Sequence, residues 1–151
     1  MNIQNSVRRR YALVGSGGRG RFYYEGLVKD FGEQAEVVGL CDLNHTRMQY
    51  ANRVMQRYSG SGKAALYSPD QFDAMVMEQR PDTVIVTTID RTHHKYIVRA
   101  LDLGCDVLTE KPLTIDEKRL QAIIDAVKRS GRSVRVAYNY RYSPMASKIR
   151  T

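Results

Sequence analysis

The sequence predicts an α/β domain built on a doubly wound, mainly parallel sheet with helices on both faces. Two observations support this class. Short apolar segments alternate along the chain with helical patterns of roughly 10 to 15 residues, as expected for repeated strand–helix–strand units. The apolar segments are rich in β-branched residues and lack the polar alternation of a strand with one face in water, so we expect both of their faces to be buried.

The first half of the chain carries three predicted strands and three predicted helices. The strands are expected at YALVG, EVVGLCD and AALYS, and the helices at RFYYEGLVKDF, HTRMQYANRVMQRY and PDQFDAMVMEQ. Asn44 is a suitable N-cap for the second helix. Pro69 suits the first turn of the third helix, where its missing N–H costs nothing. The segment SGSGK from Ser59 to Lys63 predicts a flexible loop.

The second half contributes three more predicted strands, TVIVTT, CDVLT and SVRVAYN. One helix is expected from about Thr92 to Leu103, closed by Gly104. A further helix, IDEKRLQAIIDAVKRS, is expected to have Thr114 as its N-cap and to end at Gly131. The predicted organisation is an N-terminal tail at residues 1–10, a domain at 11–140, and the start of a linker at 141–151.

Composition indicates a soluble, folded domain. Hydrophobic residues make up 42% and charged residues 26% of the 151 residues, which argues against a disordered chain. Cys41 and Cys105 lie in apolar runs without a CxxC partner, so buried, reduced thiols and a cytoplasmic protein are expected. No apolar run approaches the roughly 18 residues of a membrane span, and we expect no membrane partner.

The charge balance raises the question of a nucleic-acid partner. Lys and Arg number 24 against 16 Asp and Glu, a formal charge of +8. Only Arg8, Arg9 and Arg10 form a cluster, so a solvated basic surface is favoured over a nucleic-acid interface. The adjacent pair His93 and His94 lacks a third ligand at a suitable spacing, and no metal site is expected.

A glycine-rich turn follows the first predicted strand. Its segment GSGGRG fits the pattern G-x-G-x-x-G between a strand and a helix, where dinucleotide binding requires it. The first glycine permits the tight turn, the second lets the backbone approach a pyrophosphate, and the third lets the helix pack on the strand. Arg19 is expected to add a charge-assisted bond to a phosphate. The predicted cofactor contacts here are Gly15, Ser16, Gly17, Gly18, Arg19 and Gly20.

Asp42 ends the second predicted strand, 22 residues after Gly20, where this fingerprint places a carboxylate on the adenosine ribose. The two features together predict an NAD(P)-binding Rossmann domain, and no GK[ST] follows the turn to favour a Walker site. A carboxylate near the 2′ position repels a 2′-phosphate, so NAD is predicted over NADP. Arg47 leaves two roles open, contact with a 2′-phosphate or stacking on the adenine.

A second motif, TEKPL, follows the fifth predicted strand at the end where ligands bind in open α/β sheets. Pro112 stiffens this turn and gives the Lys111 amine a defined direction. Lys111 is interpreted as an active-site group in preference to a surface salt bridge with Glu110. Near the C-terminus, Tyr138, Tyr140 and Tyr142 are spaced at the strand period, which favours packing at a domain edge over a stacking platform for nucleic acid.

In their order and spacing, these segments resemble the Gfo/Idh/MocA family of oxidoreductases, which includes glucose–fructose oxidoreductase and inositol dehydrogenase. The resemblance extends from Tyr11 to Pro144 and rests on GSGGRG, CDLNHTR, TTIDRTH, ALDLGCDVLTEKPL and NYRYSP. It implies further residues along the cofactor and near the nicotinamide: Thr87, Thr88, Asp90, His93, Glu110 and Asn139. It also implies that Lys111 is catalytic.

The resemblance implies an NAD(P)-dependent oxidoreductase that moves a hydride between the cofactor and a sugar or polyol. A partly apolar surface at Tyr138, Tyr140 and Tyr142, which a further domain would cover, favours self-association, so a homo-oligomer is expected. A non-catalytic dinucleotide-binding regulator of the same fold is the alternative. Two segments depart from the family pattern: Thr88-Ile89-Asp90 replaces Thr-Pro-Asn, and Cys105-Asp106 replaces Lys-His. In the family a second α/β domain supplies most of the substrate pocket; these 151 residues lack it, so we expect the isolated chain to be inactive.

Overall fold

A computed structural model describes residues 8–59, 63–141 and 143–149 of the chain. Its described strands form one parallel sheet in the order β3-β2-β1-β4-β5-β6. The strands are β1 (Arg9–Val14), β2 (Ala35–Cys41), β3 (Ala65–Tyr67), β4 (Thr83–Val86), β5 (Asp106–Glu110) and β6 (Val134–Ala137). The helices are α1 (Gly18–Asp30), α2 (His45–Ser59), α3 (Phe72–Gln79), α4 (His93–Asp102), α5 (Glu117–Ser130) and α6 (Pro144–Ile149).

Helices cover both faces of the sheet, which confirms the predicted fold class. On β1, Ala12 and Val14 pack into a core cluster that contains residues of α3, α4 and α5, while Leu13 packs into a second cluster with residues of α1 and α2. Alternate side chains of a strand point to opposite faces, so a strand in the middle of a two-sided core must be apolar throughout. The unbroken burial of β4 shows the same pattern.

The sheet begins earlier and ends sooner than the sequence indicated. β1 starts at Arg9, whose register partner is Ala35, two residues before the strand predicted from Tyr11. β6 ends at Ala137, so the prediction that Tyr138 and Tyr140 lie on a strand is wrong. Both tyrosines are exposed, 61% and 82%, because the sheet has ended before them.

Five further segments bear on the predicted elements. Tyr142 and residues 60–62 of the predicted SGSGK loop lie outside the described residues. A short 3₁₀ turn over Pro69–Gln71 precedes α3, where a continuous helix was expected from Pro69. Another over Asp90–Thr92 precedes α4, whose predicted start was about Thr92. α6 lies in the segment assigned to a linker.

One of the two predicted helix N-caps is correct. The Asn44 side chain accepts a hydrogen bond from the Arg47 amide at 3.0 Å, as an N-cap does. Thr114 is not the N-cap of α5, however. The helix begins at Glu117, and the Asp116 carboxylate accepts the Arg119 amide at 2.8 Å.

The arginines of the basic cluster at the start of β1 form ion pairs within the domain. Arg9 pairs with Asp106 on β5 at 2.9 Å, and Arg10 pairs with Glu36 on β2 at 3.5 Å. These contacts anchor β1 to its neighbours and neutralise much of the local charge. None of the described helices is long and apolar enough to cross a bilayer.

Both cysteines are buried and unpaired, as expected from their apolar surroundings. Burial raises the pKa of Cys41 to about 12 and that of Cys105 to about 11. A thiol with so high a pKa stays protonated at neutral pH and is a poor nucleophile. Both residues therefore act as small core side chains.

Candidate dinucleotide-binding site

The strand order reverses between β1 and β4, and in open α/β sheets ligands bind at such a point, beyond the carboxyl ends of the strands. A cavity of about 400 Å³ lies there. Eight of the residues predicted to bind the cofactor line it: Gly15, Gly17, Gly18, Arg19, Asp42, Arg47, Thr87 and Thr88. The reversal of strand order thus brings together residues from the carboxyl ends of β1, β2 and β4.

The three glycines of the turn differ in what a side chain would meet. At Gly15, φ is +92° and an added Cβ would lie 2.6 Å from the Thr87 carbonyl oxygen. At Gly20, an added Cβ would overlap the Gly15 carbonyl oxygen. At Gly17 the nearest atom is Nη1 of Arg47 at 3.9 Å, so this glycine faces open space. The cradle therefore has room for a phosphate group beside Gly17.

The N-terminus of α1 is open. Its N-cap residue, Gly17, provides no side-chain hydrogen bond, and the first turn contains no acidic residue. The first N–H groups of a helix have no partner within the helix, and they carry the positive end of its dipole. These groups fit the diphosphate of a dinucleotide, which is the group the glycine pattern predicts at this position.

Asp42 is buried and fixed by two backbone amides. One carboxylate oxygen accepts the Ser16 N–H at 2.5 Å, and the other accepts the Asn44 N–H at 2.8 Å. Arg47 lies with Nη1 3.7 Å from the same carboxylate. Asp42 thus supports the glycine turn as well as carrying a negative charge at the cavity. Ser16 contributes its amide to this contact, and its side chain is buried outside the cavity lining.

The loop after β4 closes the turn from the other side. The Thr87 hydroxyl donates to the Gly15 carbonyl oxygen at 2.5 Å. The Thr92 hydroxyl bonds to that of Thr88 at 2.8 Å, which braces the loop where the family pattern has a proline and this chain has Ile89. Asp90 is exposed at the start of the following 3₁₀ turn and does not line the cavity.

His93 connects two loops and does not line the cavity. It is 1% exposed, with Nδ1 2.8 Å from the Pro112 carbonyl oxygen and Nε2 3.0 Å from that of Thr88. Both ring nitrogens are therefore in contact with protein carbonyls. The resemblance implied that His93 lies along the cofactor; in this structure it lies outside the cavity lining.

Arg19 lines the cavity, and its guanidinium is paired with other side chains of the domain. Its Nε donates to Oε1 of Glu110 at 2.5 Å, and its Nη2 donates to the side-chain oxygen of Asn139. The Tyr23 hydroxyl donates to the same Glu110 oxygen at 2.6 Å. Burial and the nearby Glu110 carboxylate raise the pKa of Tyr23, so the phenol remains a donor. The N-terminus of α1 is thus tied to the ends of β5 and β6.

Lys111 is exposed, and no ion pair joins its side chain to Glu110 in the described part of the chain. Glu110 is 6% exposed and its ion-pair partner is Arg19, so the alternative of a Lys111–Glu110 surface salt bridge is not found. The contact that Lys111 makes with the Glu110 carboxylate comes from its backbone N–H, 3.3 Å from Oε2. The ammonium group is available at the carboxyl edge of the sheet.

The cavity lining also contains residues that the sequence interpretation missed. The most exposed is Leu43, at 91%, directly after Asp42, and Ile89 is 57% exposed across the cavity. Tyr96 of α4 also lines the cavity. An apolar residue directly after the acidic end of β2 is a signal that the sequence contained. Nothing in the local sequence indicates that Tyr96 reaches this cavity.

Comparisons with known proteins identify the family. The sequence model of the Gfo/Idh/MocA oxidoreductase family, NAD-binding Rossmann fold, matches residues 9–138. Oxidoreductase YteT of Bacillus subtilis is 35% identical over 124 residues, which cover 82% of this chain and 28% of that protein. D-glucoside 3-dehydrogenase of Escherichia coli is 26% identical over 115 residues, covering 76% of this chain and 30% of that protein. The chain therefore spans less than a third of these two relatives.

A solved structure shows the same fold. The scyllo-inositol dehydrogenase of Lactobacillus casei, with bound NAD(H) and scyllo-inositol, superposes with a TM-score of 0.80 at 17% identity, over 95% of this chain and 40% of that one. The family match covers most of the chain and agrees with the strand order found here. The chain therefore belongs to the Gfo/Idh/MocA oxidoreductase family and forms an NAD-binding Rossmann domain of that family.

Proposed function

We propose that this domain holds NAD for hydride transfer to or from a sugar or polyol, with Lys111 acting on the reacting oxygen. The observation that carries the proposal is the position of Lys111. Its side chain is exposed at the carboxyl end of β5, on the same edge of the sheet as the glycine turn. The D-glucoside and inositol dehydrogenases among the similar proteins support a substrate of this class.

The residues divide the work between binding and chemistry. The amides of the Gly17–Gly20 segment hold the diphosphate, and Asp42 accepts hydrogen bonds from the adenosine ribose. When bound, the nicotinamide supplies the hydride acceptor or donor. The Lys111 amine contacts the substrate oxygen. In the reduction direction its ammonium form stabilises the negative charge that develops on this oxygen as the hydride arrives, and supplies the proton of the product hydroxyl; in the oxidation direction the neutral amine takes that proton as the hydride leaves.

The charge around Asp42 supports NAD as the preferred form of the cofactor. A 2′-phosphate would meet a buried carboxylate whose oxygens already accept two backbone amides. Arg47 is the cation nearest to that carboxylate, 3.7 Å away, and pairing with Asp42 reduces its availability for a phosphate. Repulsion therefore outweighs attraction at this position.

The test of Lys111 is a comparison of turnover with cofactor affinity in the oxidoreductase that contains this domain. Lys111→Ala is expected to lower kcat/KM for the best sugar or polyol of a panel at least about a hundredfold, as for other lost proton-transfer or charge-stabilising groups. The Kd for NAD, measured by calorimetry, should change less than about twofold. Lys118→Ala removes an exposed lysine of α5 and serves as the matched control, with no change in either quantity.

Two outcomes would contradict the assignment. Equal losses of NAD affinity and turnover in Lys111→Ala would make the lysine a cofactor ligand. Tight NAD binding without turnover on any sugar or polyol of the panel would favour the non-catalytic regulator.

The location and assembly of the protein are part of the same proposal. Buried, unpaired thiols support a reducing compartment, the cytoplasm. Exposed apolar side chains at the C-terminal end of the domain support contact with another protein surface, in a homo-oligomer. Tyr138, Tyr140 and Met145 are 61%, 82% and 75% exposed. Light scattering on the chain tests the oligomer, and a monomer at all concentrations would contradict it.

A further inference from the structure

The turn formed by residues 110–112, which we call the lysine turn, is held by side chains of two helices, α1 and α4. On one side, Oε1 of Glu110 accepts Nε of Arg19 at 2.5 Å and the Tyr23 hydroxyl at 2.6 Å, both from α1. On the other side, the Pro112 carbonyl oxygen contacts Nδ1 of His93, from α4, at 2.8 Å. Lys111 lies between these two anchors.

We propose that Arg19 and His93 are positioning residues that fix the direction of Lys111, and that neither is primarily a cofactor ligand. This inference rests on the proposed function of Lys111. It assigns new roles to two residues that the motif and the family resemblance placed against the cofactor.

The contacts of Arg19 leave little freedom for a phosphate. Its guanidinium bonds to a carboxylate that is 6% exposed and to the Asn139 side chain, and it lies 5.0 Å from the centre of the Phe22 ring. A planar guanidinium with several donors is well suited to hold two acceptors in fixed directions. If Arg19 turned toward the glycine turn, the buried Glu110 carboxylate would lose its cation, which is unfavourable in a site screened from water.

The Glu110 carboxylate links the position of Arg19 to that of the Lys111 backbone. Oε2 of Glu110 accepts the backbone N–H of Lys111 at 3.3 Å, while Oε1 is held by α1. The orientation of the Lys111 peptide is therefore coupled to the position of the Arg19 guanidinium. The peptide sets the direction of the Cα–Cβ bond, from which the Lys111 side chain extends.

His93 fixes the other end of the turn. The ring is 1% exposed, and its second nitrogen lies 3.0 Å from the Thr88 carbonyl oxygen. It therefore joins the lysine turn to the loop after β4, which itself lines the cofactor cavity through Thr88. Contacts from α1 and from α4 thus fix the position of the lysine turn relative to the cavity.

Amide hydrogen exchange in the 151-residue chain tests the coupling without any need for turnover. Arg19→Gln is expected to speed exchange of the Lys111 amide at least about tenfold, while the Leu13 amide in the centre of β1 is unchanged. Arg21→Gln is the matched control, because Arg21 lies on the same helix and its neighbours in space, Glu25 at 2.8 Å and the Tyr50 hydroxyl at 3.1 Å, are not part of the lysine turn. Unchanged exchange at Lys111 in Arg19→Gln overturns the proposal, whatever the enzyme activity.

Kinetics in the oxidoreductase that contains the domain separate positioning from cofactor binding. Arg19→Gln should lower kcat at least about tenfold while the Kd for NAD stays within about twofold, and Arg19→Lys should recover part of the loss because its ammonium still pairs with Glu110. The phosphate-ligand role predicts the reverse, a raised Kd for NAD with kcat preserved, and that result overturns the proposal. If Lys111→Ala itself has no effect on turnover, the proposed function fails, while the exchange result still decides the coupling.

A second pair of variants tests the other anchor. His93→Gln should lower kcat with NAD affinity preserved, and His94→Gln, at the adjacent position, should leave both unchanged. If His93→Gln does not fold, the Arg19 variants alone decide the proposal. A folded His93→Gln with normal kcat removes His93 from it.

Discussion

The helices α1 and α5 follow the carboxyl ends of β1 and β5, yet their N-termini are built in opposite ways. α5 is closed, because the Asp116 carboxylate accepts the Arg119 amide and Glu117 adds a further negative charge in the first turn. α1 is open, because Gly17 has no side chain and its first turn carries no acid. Every helix starts with amides that need acceptors, and here one helix provides its own while the other leaves them for a ligand.

The support that α1 lacks in its own sequence comes from a neighbouring strand. Asp42, at the end of β2, accepts the Ser16 amide just before the helix, and the Thr87 hydroxyl holds the Gly15 carbonyl. The turn is therefore rigid although its helix is uncapped. An anion site requires this combination, because a flexible turn would have to be ordered at a cost in binding free energy.

Closing α1 in the way that α5 is closed gives the largest expected effect. Gly17→Asp is tolerated by the backbone, since φ is −68° and ψ is −168°, and by the space around an added Cβ. The new carboxylate would accept the free amides and repel the diphosphate. The Kd for NAD, measured by calorimetry, is expected to rise at least about a hundredfold, or about 2.7 kcal/mol. The free energy of unfolding should stay the same or rise by a few tenths of a kcal/mol, approximately.

Gly26→Asp provides the control for added charge on α1, because nothing lies within 4 Å of its added Cβ. Its NAD affinity should stay within about twofold of that of the unmodified chain. Unchanged NAD affinity in Gly17→Asp would mean that the diphosphate binds elsewhere.

Asp42 separates the support of the turn from the choice of cofactor. Asp42→Ala leaves the Ser16 and Asn44 amides without their acceptor, which should lower the free energy of unfolding by about 1–3 kcal/mol. Asp42→Asn keeps one acceptor oxygen but removes the charge. It should shift the ratio of NADP to NAD affinity toward NADP by about tenfold, with a smaller loss of stability.

Titration of both cofactors by calorimetry, with thermal unfolding, measures these effects. Adding Arg47→Ala to Asp42→Asn should remove the gain in NADP affinity if the guanidinium then meets the phosphate. Tighter binding of NADP than NAD by the unmodified chain would contradict the role given to Asp42.

The cap of α5 gives the smallest expected effect and leaves NAD binding unchanged. Asp116→Ala should lower the free energy of unfolding by about 1 kcal/mol, because it removes the acceptor for the Arg119 amide. Thr114→Val should raise it by up to about 1 kcal/mol, since the buried Thr114 hydroxyl has no hydrogen-bond partner among the described residues. Denaturant unfolding measures both variants. A loss of stability in Thr114→Val together with no loss in Asp116→Ala would restore Thr114 as the cap.

Much of the fold was predictable because its signals are local. The apolar segments led to all six described strands, and the glycine turn and Asp42, which were predicted to bind the cofactor, line the cavity at the switch point. The errors lie at element ends. Thr114 and Asp116 are both good N-caps two residues apart, and only the path of the chain after β5 decides which of them meets a free amide.

The sequence by itself determined the alternation of strands and helices, the open N-terminus of α1 and the acid at the end of β2, because each depends on residue types within a few positions of one another. Only the tertiary structure decided the partners of Arg19, His93 and Glu110. Arg19 and Glu110 are 91 positions apart, and Arg19 and Asn139 are 120 apart. Which acceptor a long, flexible cation reaches depends on how the strands are ordered in the sheet, and no local pattern specifies that order.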